Sequence, residues 1–265
     1  MLLTNCATGT LAPYVPDAIT PWDQRRVLHL YRRLGFGASP QVVEAALGQT
    51  PATLVDNLIN QAINTPLPPQ PVWADWDIND YTDFGQQTQQ QLIEWVVSWI
   101  RSMLNNGVRE KMTLFWSNHL VAKYEAYACP SQLYQYHTLL QQHAFGNFKT
   151  LVYEMGKTPA MLVFLNGVQN TSLEPNENYA RELYELFTLG QGNGYTQTDI
   201  QETARALTGW NGYLTFCGGI SYIPFLHDNG QKTIFGQTGN WGYDDVIDIL
   251  LEQRAKQVAQ NICAK

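Results

Sequence analysis

The chain has 265 residues, 45% of them hydrophobic, and a net charge of −7. That length and apolar content suffice for one large globular domain or two small ones. Lys and Arg are scattered rather than banded, which leaves no electrostatic footprint for a nucleic-acid backbone or an anionic membrane, so neither is expected as a partner.

No stretch approaches the roughly 18 consecutive apolar residues of a membrane span, and residues 1–20 lack both a basic start and a sustained apolar run. No transmembrane segment and no signal peptide is therefore expected; compartment and oligomeric state stay open. Helices predominate from the start. Stretches 21–34, 40–47 and 51–63 open with Thr20, Ser39 and Thr50 as caps and Pro at the first helical position, and Gly35 and Gly48 close the first two. Residues 65–82, rich in Pro, Asp and Trp without a period, read as a surface connection. This organisation suggests an N-terminal helical layer (1–65), a connecting loop (66–85) and a main helical body (86–265).

Apolar residues at helical spacing place further helices at 86–105 and 108–123, broken at Gly107. Capped stretches follow at 131–144, 148–155, 159–165, 176–189 and 196–208. Residues 212–235 differ, because Gly218-Gly219 sits between β-prone runs holding Tyr213, Leu214, Ile220 and Tyr222, which predicts one hairpin near 212–226. A final helical stretch covers 244–265 and stops without a Gly, Asn or Pro terminator. The fold class is mainly α, a multi-helix array with one small β-hairpin. Cys6, Cys129, Cys217 and Cys263 are too far apart for a local zinc knuckle or redox pair. Their even count permits bridges, but free, inert thiols are the expectation.

The segment Asn176-Glu-Asn-Tyr-Ala-Arg-Glu-Leu-Tyr-Glu-Leu-Phe-Thr-Leu-Gly190 concentrates the chemistry. Glu177, Arg181 and Glu185 form an i, i+4, i+8 ladder, Asn178 and Glu182 widen that face, and Tyr179, Leu183, Leu186 and Phe187 line the other. Glu182 and Glu185 at i, i+3 could share a proton or chelate one hard cation, although a solvated face with helix-supporting pairs explains them too. His119 shares the apolar face of Phe115 and Trp116, so it is either a ligand or general base, or a hydrogen-bonded core histidine. Arg205 suits a carboxylate, of a substrate or of Glu182 or Glu185. Asp199, three residues after Thr196, reads as a structural cap. His227-Asp228 before Asn229-Gly230 belongs on a turn, where His227 could complete a divalent-metal site with His119 and Glu182.

These segments resemble a known bacterial family, that of the domain of unknown function 1800. The likeness rests on His29-Leu-Tyr-Arg-Arg-Leu-Gly-Phe-Gly37, Phe115-Trp-Ser-Asn-His119, Pro159-Ala-Met-Leu162, the 175–190 segment, Tyr195-Thr196, Ala204-Arg-Ala-Leu-Thr-Gly-Trp210 and His227-Asp228. It implies a mostly helical bacterial protein whose relatives are usually longer, so a C-terminal part is expected to be missing, and it supplies no reaction. The residues then admit two functions. One is an enzyme with a Glu/His site, metal-assisted and hydrolytic, acting on a small molecule or polymer, with Glu182, Glu185 and Arg205 catalytic and His119, His227 and Glu182 on a metal. The other is a non-enzymatic scaffold or binding domain in which the same charges form an ion-pair network.

Overall fold

The computed structural model describes residues 12–212 and 216–265. Cys6, Tyr213 and Leu214 lie outside them. In chain order the helices are α1 (Gln24–Leu34), α2 (Pro40–Leu47), α3 (Pro51–Asn64), α4 (Phe84–Asn105), α5 (Gly107–His119), α6 (Tyr124–Tyr127) and α7 (Pro130–Gln142). Then follow α8 (Phe148–Met155), α9 (Pro159–Phe164), α10 (Asn178–Glu182), α11 (Gln197–Ala206), α12 (Tyr243–Gln253) and α13 (Ala255–Ala264). No helix is long and apolar enough to cross a membrane among the described residues.

Cap chemistry sets the starts. The side chains of Ser39 and Thr50 accept from the N–H groups of Val42 and Thr53, each with Pro at the first helical position. The first helix departs from the sequence reading. Asp17 takes the N–H groups of Ile19 (2.9 Å) and Thr20 into its own turn, so Thr20 is no cap and Asp23 starts α1 by accepting from Arg26 N. At the other end, the single stretch expected over 244–265 breaks at Arg254, whose guanidinium donates to Gly194 O at 2.8 Å and lies over the Phe235 ring.

Two antiparallel pairs interrupt the helices. β1 (Trp210–Asn211) pairs with β2 (Ser221–Tyr222), which is the predicted hairpin. β3 (Lys232–Ile234) pairs with β4 (Gln237–Gly239) through the two-residue turn Phe235-Gly236, both at positive φ. A right-handed sheet twist favours such mirror-image turns. Phe at the first left-handed position carries no Asn-Gly signal, so this second hairpin was not legible.

The chain forms two compact units. The first takes the described residues up to Pro66 together with Ser102–Lys111, the second Leu67–Arg101 and Met112–Lys265. Val27, Val43, Ala46 and Leu54 make the small core of the first. The second holds a larger core that includes Leu120, Leu151, Met161, Leu183, Ile200 and Leu250, all essentially without exposure. Each such side chain contributes about 1.5–3 kcal/mol of burial. Trp73 and Ala74, in the stretch read as a surface connection, are buried, and Trp73 Nε1 donates to Glu94 at 2.8 Å. Gly156 ends α8 where the hydroxyls of Tyr179 and Tyr243 close in, and any Cβ there would overlap both.

Cys129 and Cys217 are joined in a disulfide that spans 88 residues. This corrects the expectation of free thiols. Sequence distance hid the pair, because α7 and the segment after β1 meet only in the folded core. Cys263 is free and exposed.

Candidate functional site

The 176–190 segment begins as α10 and continues as a π-helix over Leu183–Thr188. Its first face is built as the spacing predicted. Arg181 lies between Glu177 (2.8 Å) and Glu185 (3.4 Å), and Gln197 of α11 donates to Glu177 at 2.8 Å. Tyr179, Leu183 and Phe187 are buried, but Leu186 is 53% exposed. Wider π-turns rotate it off the apolar face that a regular helix would give it. Glu182 stands beside the ladder, and its carboxyl is raised above the usual range, first by burial and then by the negative charge of Glu185, against the pull of Arg181.

His119 closes the C-terminal end of that helix. Its Nε2 donates to Phe187 O at 2.9 Å, while Lys265 Nζ stands 3.2 Å from Nδ1 and donates to Leu186 O at 3.2 Å. Asn261 Nδ2 donates to Thr188 O at 2.9 Å. Three consecutive carbonyls without helical partners are thereby satisfied by side chains. An acceptor at Nε2 and an ammonium at Nδ1 fix the neutral, Nε2-protonated tautomer. Burial agrees, since it lowers the His119 pKa before any other influence. Both ring nitrogens are thus engaged by the protein itself.

Arg205, in the last turn of α11, meets neither Glu182 nor Glu185. Its Nε and Nη2 fork onto Asp228 (2.7 and 3.3 Å), and Nη1 reaches Glu202 at 2.9 Å and Gln231 O at 3.2 Å. The Arg205 guanidinium holds the Asp228 carboxyl below its usual range. Thr208 organises the turn that brings Asp228 there. Its hydroxyl accepts from Asp228 N at 2.8 Å, and its carbonyl accepts from His227 Nδ1 at 3.1 Å. That bond leaves the His227 Nε2 lone pair without a partner from the described residues.

Several members of this network were missed by sequence reading. Lys232 is fully buried, with its ammonium held by Gly230 O (3.0 Å), Asn240 Oδ1 (3.3 Å) and Asp228 O. Burial lowers its pKa. Asn170, 2% exposed, donates to Ala204 O and accepts from Asn176 N, both at 2.8 Å, and its carbonyl accepts from Gly209 N. One side chain therefore joins the start of the 176–190 segment to the end of α11. A lone Asn in a loop carries no signal for such a role. Glu202 and Asp199, three residues apart on α11, accept from Thr233 N (3.0 Å) and Phe235 N (2.8 Å) of the second hairpin. Asp199 also closes the capping box expected with Thr196.

Among the described residues, no three His, Cys, Asp or Glu side chains group in a way that could hold a metal ion. His119, Glu182 and His227 occupy three different surroundings: a helix-end cap, the flank of an ion-pair ladder, and a turn organised by Thr208. Chemically, the arrangement is a set of charge-assisted locks between elements.

The fold and these locks define a mainly helical protein whose elements are tied together by polar side chains. The chain belongs to the family described as protein of unknown function DUF1800, whose match covers residues 29–265. No curated protein and no solved structure matches it.

Proposed function

We propose that the chain is a non-enzymatic scaffold or binding domain, and that the charged motif residues hold its helices and hairpins together. One observation carries the reading: Arg205 commits its Nε/Nη2 edge to Asp228 and its Nη1 to Glu202 and Gln231 O, so a single Nη2–H, not a two-pronged fork, is left for a substrate carboxylate. The two engaged nitrogens of His119 support it. The disulfide fits a compartment oxidising enough for it to form.

A second reading keeps an enzyme, with Glu182 and Glu185 as acid and base and His227 as a ligand or base. It is favoured by the raised Glu182 carboxyl and by the posture of His227, whose Nδ1–H is held on a carbonyl while Nε2 stays available. Elemental analysis of protein never exposed to chelator tests the scaffold against the metal-assisted form of that reading, run beside a His227→Ala and Glu182→Gln double variant. The scaffold reading expects no stoichiometric metal in either. Near-stoichiometric metal that the double variant loses would sink it and point to metal-assisted chemistry.

A further inference from the structure

Every Lys and Arg among the first 66 residues lies on α1: Arg25, Arg26, Arg32 and Arg33. Arg26, His29 and Arg33 line a cleft of about 560 Å³ in the first unit, a volume typical of small-molecule sites. The rest of its wall is mostly apolar, with Tyr14, Trp22, Leu30, Leu34 and Val55 prominent. The polar ends of both aromatics are already used. Trp22 Nε1 donates to Ala46 O at 3.3 Å and the Tyr14 hydroxyl to Thr20 O at 2.8 Å, so what they offer the cleft is ring surface.

The cations differ in their commitments. Arg26 donates to Pro21 O (2.9 Å) and pairs with Asp23 (3.4 Å), which anchors it to the protein. His29 and Arg33 are exposed and have no partner among the described residues. At i, i+4 on one helix they are surface neighbours, close enough to hold the two oxygens of a single carboxylate. Asp56, the one acidic residue on the cleft, opposes polyanions.

The geometry points to a binding site for an amphipathic monoanion, a small molecule with a free carboxylate at His29 and Arg33 and an acyl or aryl body on Trp22, Leu30 and Val55. The cleft lies in the first unit and the motif network in the second.

The test is titration of the whole chain with a dansylated eleven-carbon fatty acid, its methyl ester, and phosphatidylglycerol vesicles. The acid is expected to bind at one site per chain. Arg33→Gln should weaken it about tenfold while leaving the weaker ester unchanged, as loss of a charge-assisted hydrogen bond predicts. Ala52→Trp, at an exposed position on the cleft, should block both ligands with the fold intact by circular dichroism. Equal affinity for acid and ester, an unchanged affinity in Arg33→Gln, or binding to vesicles alone would overturn the site.

Discussion

Two ladders of like composition behave differently in this molecule. Along α10 and its π-helical continuation, Glu177, Arg181 and Glu185 stand at i, i+4, i+8; on α11, Asp199, Glu202 and Arg205 stand at i, i+3, i+6. The first pairs mainly within its own helix, with Gln197 as the outside contact. Each member of the second bonds a different element: Asp199 the turn after β3, Glu202 the strand itself, Arg205 the turn at Asp228. Spacing alone makes a pair; a partner from a distant part of the chain makes a lock.

The largest effect expected falls on the covalent tie within the unit that holds both ladders. Cys129→Ser with Cys217→Ser, or reduction, should lower stability to urea by about 4–5 kcal/mol, because the bridge closes an 88-residue loop in the unfolded chain. A midpoint that dithiothreitol does not move would deny that bridge a role.

Next comes acid. His137 is 6% exposed between the rings of Trp95 and Trp99, and burial pushes its pKa down to about 3. The unfolded ring takes a proton near 6.5, the folded ring does not. Stability should therefore fall as pH drops from about 6.5 towards about 3, by at most about 1.4 kcal/mol per unit. Asp228 adds to the loss at the acid end of that window, since its depressed pKa gives stability above its ordinary value that disappears on protonation. His137→Phe should remove the upper part of the slope; if the slope persists unchanged in that variant, another group carries it.

Substitution within the two ladders sharpens the contrast directly. Arg205→Gln strands two partly buried carboxylates and should lower the urea midpoint by the equivalent of about 2 kcal/mol. Arg181→Gln should lower it by less than about 0.5 kcal/mol, the range of helical i, i+4 pairs. Equal losses would erase the distinction. The smallest effect is reserved for Glu182→Gln, which should leave stability unchanged or slightly raised, because it relieves the repulsion from Glu185.

Local chemistry was legible where it acts within a few residues. The Ser39 and Thr50 caps, the Thr196 and Asp199 box, the Arg181 ladder and the first hairpin all depend on short spacings, and all could be read. What escaped depends on tertiary approach. Nothing near Asn170 tells of Ala204, nothing at Cys129 tells of Cys217, and Lys232 looks like any surface lysine until the turn at Asp228 folds over it. The π-turns at Leu183–Thr188 escaped for another reason: an apolar helix with one extra residue per turn has the same composition as a regular one.

That turn over Lys232 makes the residue a natural reporter. With its amine enclosed by backbone oxygens, an acylating reagent reaches it only when the loop opens, unlike the exposed lysines of the same chain. Site-resolved labelling by mass spectrometry would then read how often the segment between α11 and the second hairpin comes apart in the native protein, without any substitution.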